Sequence, residues 1–341
     1  MRCGNRVIVA LLILSFAVGL TARAGEGGER TLMVAAAQTP NLDGQYERSR
    51  EVAENMVAQA ADQGARLILL PEFALIGYVY EDGTWEMAEP VQGPTVEWMR
   101  GLCRRYDVYL ATCILEVRGS DFYDTLVLTG PGDGELWTHS KIEPALYEAN
   151  FFKGAGVNQS VFDTPLGRIG VSICFDNTKT HTIRALLEER PDIVLMTYSA
   201  PEVPLLDSIR QKNIEANNRL PALYARILGV PVVSVNKTGR WDSPMPGVPG
   251  ARLRSDFAAR SRIVDQQGNL LASLDKEEAV ITAAVRIGGD IKTDPSLIPP
   301  GRWLVPYDAV MRSFSDLTYK LGKIRYTLSP ARKRAVEKAR K

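Results

Sequence analysis

Short apolar runs alternate with amphipathic segments of helical spacing along most of this chain, and that alternation limits the fold more than any other feature. The predicted strands are 32–37, 67–70, 108–116, 125–129, 135–140, the two runs flanking the turn at 164–168, 193–197 and 230–236. The predicted helices are 48–63, 95–106, 180–190 and 209–228, the last interrupted at Pro221. Residues 261–264 and 270–274 predict a hairpin. Hairpins beside strand–helix–strand units favour an α/β protein with layered mixed sheets over a Rossmann sheet or a TIM barrel.

Composition fits one catalytic domain. The chain has 341 residues, of which 45% are hydrophobic and 24% charged, the balance of an ordinary globular protein. No Pro/Gly/Ser-rich linker interrupts residues 31–300. A Gly-rich phosphate loop is also missing from the sequence, so we expect no nucleotide cofactor.

The first 24 residues have the pattern of a secretory signal peptide. Arg2 and Arg6 precede the apolar run 7–20, and small residues follow at 22 and 24. The run is shorter than the roughly 17–25 residues that span a bilayer, so a retained membrane anchor is disfavoured. We therefore expect an exported protein, with a signal peptide at 1–24, a catalytic domain at 25–303 and a C-terminal extension at 304–341.

The end of that extension is strongly basic. Residues 319–341 contain nine lysines or arginines and a single acid, Glu337. This pattern predicts a solvated, partly helical tail. Docking onto the acidic body of a partner subunit or onto an anionic membrane are the alternatives, whereas the few aromatic residues argue against nucleic acid.

Three predicted strands end next to residues that acyl-transfer chemistry uses. Glu72 follows 67–70, Lys141 follows 136–140, and Cys174 follows 169–173. A carboxylate, an ammonium and a thiol can together activate a nucleophile and stabilise an oxyanion. Each residue alone is commonly structural, but α/β proteins build their sites at strand ends. The chain has only two histidines, so imidazole catalysis and His-rich metal sites are disfavoured.

Cysteine usage agrees with a free nucleophile. Without residues 1–24 the chain keeps Cys103, Cys113 and Cys174, an odd number, so at least one thiol stays unpaired in an oxidising compartment. Cys174 is the candidate nucleophile. The sequence leaves open whether Cys103 and Cys113 are bridged or buried singly.

Five motifs around these residues resemble those of the nitrilase, or carbon–nitrogen hydrolase, superfamily. The motifs are Pro71-Glu72-Phe73, Ser140-Lys141-Ile142, Val171-Ser172-Ile173-Cys174-Phe175-Asp176, Val235-Asn236-Lys237-Thr238-Gly239 and residues 261–268. The spacing of 69 residues from Glu72 to Lys141 and 33 from Lys141 to Cys174 fits the family's Glu-Lys-Cys order. The resemblance implies a four-layer αββα sandwich that forms homodimers or higher homo-oligomers, and it implies neither a metal nor an organic cofactor.

The resemblance also implies roles. Cys174 would attack the amide carbonyl, Glu72 would transfer protons, and Lys141 with the backbone N–H of Phe175 would stabilise the oxyanion. Glu148 best matches the family's second glutamate, and Glu143 stays an alternative. Position beside the motifs predicts a set of substrate-binding residues: Tyr78, Tyr147, Phe175, Asn177 and Ser199.

Departures from the family pattern bear on the substrate. True nitrilases carry Trp-Glu after the cysteine, where this chain has Phe175-Asp176, so nitrile hydrolysis is disfavoured. The stretch 177–181 replaces the Arg-x-Phe-Pro-Glu of many amidases. We predict an exported hydrolase of a small-molecule amide. An N-acyltransferase with the same three residues, or a non-catalytic binding protein of the same fold, is the alternative.

Overall fold

The computed structural model describes residues 28–202, 207–305, 307 and 309–339. The predicted signal peptide at 1–24 lies outside the described residues. The strands are β1 (Arg30–Gln38), β2 (Leu67–Leu69), β3 (Tyr109–Arg118), β4 (Asp121–Thr129), β5 (Leu136–Ser140), β6 (Val161–Thr164), β7 (Gly167–Ile173), β8 (Ile193–Thr197), β9 (Val232–Val235), β10 (Arg240–Pro244), β11 (Arg252–Asp256), β12 (Arg262–Val264), β13 (Leu270–Ser273) and β14 (Ala279–Ile287). The helices are α1 (Tyr46–Asp62), α2 (Pro94–Tyr106), α3 (Thr180–Glu189), α4 (Asp207–Leu228), α5 (Ala309–Leu328) and α6 (Pro330–Ala339).

Two six-stranded mixed sheets form the centre of the described chain. The first has the order β14-β1-β2-β3-β4-β5 and the second β13-β12-β9-β8-β7-β6. Each sheet has three parallel strands flanked by antiparallel neighbours. The parallel strands are β1, β2 and β3 in the first sheet and β7, β8 and β9 in the second. Because β4 reverses direction and β5 reverses it again, β5 runs the same way as β2. The carboxyl ends of β2 and β5 therefore lie at the same edge of the first sheet.

Alternation of side chains along the strands builds the layers. Leu67 and Leu69 belong to the large central core, whereas Ile68 and Leu70 pack with α1 and α2 on the outer face of the first sheet. Helices α3 and α4 cover the second sheet, with α4 lying against β9 and β12. The predicted four-layer αββα sandwich is confirmed.

The structure differs from the element predictions at three places. Helix α4 runs through Pro221 without a break, because Leu220 and Tyr224 on either side are fully buried and hold it against the sheet. The ribbon of β10 and β11 was not predicted, since its strands are short and mostly polar. Strand β14 was also missed, because its half-exposed residues show no clear alternation.

The C-terminal helices pack on the domain. Helix α5 buries Ser315, Thr318, Gly322 and Tyr326 and lies along the short turn Glu148–Asn150. Helix α6 packs against the 3₁₀ turn Asp82–Met87. Most of the basic residues of this region are exposed, as predicted for a solvated tail. Among the described residues, no helix is both long enough and apolar enough to cross a membrane.

Candidate active site

The ends of β2 and β5 bring Glu72 and Lys141 into direct contact. Lys141 Nζ donates to Glu72 Oε1 at 2.7 Å, and both side chains are completely buried. Glu72 is held from its other side by the backbone N–H of Ser199, which donates to Oε2 at 2.5 Å. Ser199 follows β8 of the second sheet, so this pair joins the two sheets at their common edge.

Glu148 is the second carboxylate on Lys141. Its two oxygens lie 2.9 and 2.8 Å from Lys141 Nζ. The hydroxyl of Tyr78 donates to Glu148 at 2.6 Å, and the N–H of Ala145 donates to it at 2.6 Å. Glu143, the alternative from the sequence, instead forms ion pairs outside this cluster.

Asp124 is a third carboxylate near Lys141 that the sequence reasoning missed. It lies on β4, fully buried, with Oδ2 at 3.4 Å from Lys141 Nζ. Neither of its oxygens accepts a hydrogen bond from a described donor. It was missed because it lies one residue before the predicted strand 125–129, and only the longer β4 of the structure includes it.

Three carboxyls around one ammonium cannot all be ionised at low cost, and the pKa shifts divide the charge. Burial raises the pKa of Asp124 well above its usual value, and the charge of Glu72 raises it further. Burial alone would also raise the pKa of Glu72, but Lys141 and a hydrogen bond from Asp124 lower it below 4.5. At neutral pH, Glu72 is therefore a carboxylate and Asp124 a neutral acid that donates to it.

Lys141 and Cys174 both rest in their protonated forms, which suits the lysine but not the cysteine that must attack. The surrounding carboxylates outweigh burial and raise the pKa of Lys141, so it stays an ammonium. Burial and the charge of Glu72 raise the pKa of Cys174 well above 9.0, so its resting form is a thiol. Attack by this sulfur requires a base, and Glu72, which Lys141 keeps ionised, is the carboxylate that can serve as that base.

Cys174 begins the 3₁₀ turn Cys174–Thr178 directly after β7, in a left-handed backbone conformation with φ 48°. Non-glycine residues adopt this conformation at a cost, and it is common at functional sites. Asp176 in the same turn accepts from the N–H groups of Ile142 and Glu143 at 2.7 and 2.9 Å, which joins the cysteine turn to the segment after Lys141. Burial raises the pKa of Asp176 to about 7.

A cavity of about 320 Å³ opens above Cys174. Four of the predicted substrate-binding residues line it, namely Tyr78, Tyr147, Phe175 and Ser199. Asn177 does not: it is buried, and its backbone oxygen accepts from Tyr224 at 3.1 Å, so its position gives no support to a binding role. The sequence reasoning missed other lining residues that are distant in the chain: Tyr80, Tyr198, Trp241, Trp303, Tyr307 and Phe314.

Lys179 lies in the stretch 177–181, which departs from the family pattern, and it is buried between aromatic rings. Its buried ammonium lies 3.2 Å from the ring centroid of Trp303 and 3.9 Å from that of Phe175, with Glu143 at 3.6 Å. Burial lowers the pKa of Lys179 to about 7. The contact of Lys179 with Trp303 joins the cysteine turn to the segment that precedes α5. The N–H of Thr180, which donates to Arg302 O at 3.0 Å, makes a second link to the same segment.

The other cysteines and the histidines lie outside this site. Cys103 and Cys113 are free and buried in different layers, Cys103 on the buried face of α2 and Cys113 between the sheets, which argues against the bridge that the sequence left open. Neither His139 nor His181 lines the cavity. Among the described residues, no group of three or more His, Cys, Asp or Glu is placed to hold a metal ion.

The sequence profile of the carbon–nitrogen hydrolases matches residues 33–289, which is most of the chain. The chain belongs to the carbon–nitrogen hydrolase family. Its curated relatives include the nitrilase of Pyrococcus abyssi, 29% identical over 45% of this chain and 62% of that protein. The N-carbamoylputrescine amidase of Solanum lycopersicum is 25% identical over 68% of this chain and 78% of that one. The chain spans about half to two thirds of the length of the nitrilases it matches.

Solved structures share the fold of this carbon–nitrogen hydrolase. A carbon–nitrogen hydrolase from Helicobacter pylori superimposes with a TM-score of 0.63 at 17% identity, covering 75% of this chain and 89% of that one. An amidase of the nitrilase superfamily from Nesterenkonia, crystallised as a Cys-to-Ala mutant, gives 0.60 at 19% identity, covering 78% and 93%.

Proposed function

We propose that this carbon–nitrogen hydrolase is an exported amidase that cleaves a small-molecule amide through a thioester on Cys174. The observation that carries the proposal is the buried Glu72–Lys141–Glu148 cluster, which is hydrogen-bonded to Tyr78 and Ser199, two residues that line the cavity together with Cys174. It supplies an ionised base and a fixed positive charge in a water-poor site, where both have their largest effect.

In the first half-reaction the sulfur of Cys174 attacks the amide carbonyl while Glu72 accepts the thiol proton. The C=O oxygen becomes an oxyanion, which Lys141 and the N–H of Phe175 stabilise. The C–N bond then breaks, and Glu72 transfers the proton to the departing nitrogen. Ammonia or an amine leaves, and the acyl group stays on Cys174 as a thioester.

In the second half-reaction Glu72 accepts a proton from water, whose oxygen attacks the thioester. The C–S bond breaks, the acid is released, and Cys174 recovers its proton. Glu148 takes no proton in this scheme. Its bonds to Lys141, Tyr78 and Ala145 hold the ammonium in position.

An amide is favoured over a nitrile by the residues after the cysteine. Phe175 and Asp176 stand where true nitrilases carry Trp-Glu. The carboxylate of Asp176 accepts hydrogen bonds from the backbone N–H groups that follow Lys141. One matched relative, aligned over 68% of this chain, is named an amidase.

The test is release of ammonia or amine from a panel of aliphatic, aromatic and carbamoyl amides, with nitriles included. We expect turnover of at least one amide and a loss of about 10³-fold or more in Cys174→Ala. Cys103→Ala removes another buried cysteine, from a different layer, and is the matched control, with activity kept. Turnover that survives in Cys174→Ala contradicts the proposal. If an added amine diverts the acyl group from water, the protein is an acyltransferase.

Export and self-association complete the proposal. Export is supported by the sequence pattern of residues 1–24, and cell fractionation with N-terminal sequencing of the secreted form tests it. A homodimer is supported by the family resemblance, and light scattering at micromolar concentration tests it.

A further inference from the structure

The cavity above Cys174 is rich in arginine. Four arginines and a single acid, Glu202, are among its lining residues. Glu202 is already paired with Lys276 at 2.8 Å. Arg260 is paired with Asp275 at 3.2 Å. The charge of these two lining residues is therefore balanced within the protein.

Arg262 forms no ion pair with a described carboxylate, although the charge of Asp275 acts on it from further away. It is half-buried at the start of β12, and its one hydrogen bond is from Nη1 to the backbone oxygen of Asn218 at 3.0 Å. Its buried Nε has no hydrogen-bond partner among the residues that the structure describes. Among the described side chains, no carboxylate forms an ion pair with its guanidinium.

A guanidinium has five N–H donors and stays protonated in proteins, so leaving a buried donor such as Nε without a partner costs free energy. A carboxylate matches the planar fork of donors and makes the strongest hydrogen bonds available to it. Because Arg262 and Cys174 line the same cavity, a ligand that occupies the cavity can supply that carboxylate.

The segment before Arg262 adds an independent observation. Ala259 and Arg260 both line the cavity, and both have left-handed backbones, with φ of 54° and 62°. Two consecutive non-glycine residues rarely adopt this conformation unless the surroundings impose it. Here Ala258 N–H donates to Ala200 O at 3.0 Å and Ser261 N–H to Gln38 Oε1 at 3.0 Å, so the backbone is held at both ends of the strained pair.

We propose that Arg262 binds a carboxylate of the substrate, so that the preferred substrate is an amide that carries a carboxylate at the end away from the scissile bond. The spacer between the two ends is apolar, because aromatic side chains such as Trp303, Tyr307 and Phe314 line much of the remaining wall. This inference rests on the proposed amide hydrolysis and adds the substrate class to it.

The experiment compares pairs of amides that differ only in a terminal carboxylate or its methyl ester, over spacers of two to eight carbons. The wild type is expected to prefer the best carboxylate by about 10- to 100-fold in kcat/KM, the range of a charge-assisted hydrogen bond. Arg262→Gln removes this preference through KM, with kcat and the ester reaction within about threefold. Arg262→Lys keeps part of it.

The matched control is Arg254→Gln, which removes an exposed arginine from the neighbouring ribbon and leaves the preference intact. Thermal unfolding of each variant verifies folding. Equal use of carboxylates and esters by the wild type overturns the inference and leaves amide hydrolysis standing. An equal loss on both substrates in folded Arg262→Gln and Arg262→Lys overturns it as well, because the arginine is then structural.

A binding measurement separates this inference from the proposed function. If no amide is hydrolysed, linear dicarboxylates of five to ten carbons are tested for protection of Cys174 against iodoacetamide. Protection that Arg262→Gln abolishes supports the carboxylate site although hydrolysis has failed. An absence of protection overturns the site.

Discussion

Asp124 shows how one side chain can set the protonation of a site without touching the reacting atoms. Burial raises the pKa of Asp124, and its interaction with Glu72 lowers the pKa of Glu72. A base that stays ionised is needed here because Cys174 rests as a thiol. Asp124 is thus a positioning residue that acts through Glu72.

Asp124→Asn and Asp124→Leu test this role. Asn keeps a neutral donor, so kcat/KM stays within about threefold and the acid limb of the pH profile does not move. Leu removes the donor, which raises the pKa of Glu72. Because activity requires ionised Glu72 and is lost as pH falls through its pKa, the acid limb then moves to higher pH, and kcat/KM falls roughly tenfold near the limb.

The measurement is kcat/KM from pH 4 to 8, with unfolding followed over the same range. A loss in Asp124→Asn as large as that in Asp124→Leu indicates that Asp124 acts as a charged carboxylate.

The contact between α5 and the turn Glu148–Asn150 is an example of an element held in place by another that is distant in sequence. A Cβ added at Gly322 would lie 2.9 Å from the backbone carbon of Ala149 and 3.0 Å from its Cβ. Glycine is unfavourable inside a helix, so Gly322 is best accounted for by how closely α5 approaches this turn. The turn carries Glu148, so the approach bears on the site.

Two Gly-to-Ala changes with opposite outcomes test the contact. Gly322→Ala forces α5 away from Ala149, and we expect about 1–3 kcal/mol lower stability and several-fold lower kcat through displacement of Glu148. Gly101 lies in α2 with no atom within 4 Å of the added Cβ, so Gly101→Ala should raise stability by about 0.5–1 kcal/mol with activity unchanged. Denaturant unfolding and turnover of both variants provide the check. A stabilised, fully active Gly322→Ala would show that the helix adapts without effect on the site.

The C-terminal helices are part of the folded domain in this molecule. Helix α5 places Phe314 and Ser315 in the cavity wall, and Tyr326 accepts a hydrogen bond from the backbone N–H of Phe122 at 2.9 Å. Helix α6 buries only Val336. The two helices should therefore contribute unequally to stability and to the site.

Two truncations test that difference. Removal of 309–341 exposes the turn at Glu148 and opens the cavity, and we expect a large loss of stability and of activity. Removal of 329–341 deletes α6 and the basic residues after α5, with activity within about twofold because α5 stays in place. Thermal unfolding and turnover are measured for both. Full activity without α5 would mean that the cavity wall it forms is dispensable.

Much of the architecture was predictable because it depends on local patterns. The apolar runs around Leu67 and Ile169 have the length and bounds of buried strands, and helical spacing marks α1 and α2. Strand ends also indicated that Glu72, Lys141 and Cys174 belong to one site, since α/β proteins build their sites at strand ends. Glu72 and Lys141 meet at one edge of the first sheet, whereas Cys174 follows β7 of the second.

What the sequence left unresolved depends on contacts between distant segments. The choice of Glu148 over Glu143 follows from which of two nearby carboxylates faces Lys141. The charge of Asp124 depends on burial and on Glu72, which lies on another strand. That Arg262 has no ion pair with a described carboxylate is visible only in the folded protein, where β12, α4 and the cavity come together. Local propensity acts over a few neighbouring residues, so the sequence by itself determines the strand ends and the side chains placed there. Burial and electrostatics act through space, so only the tertiary structure decides which of those side chains are charged and which are paired.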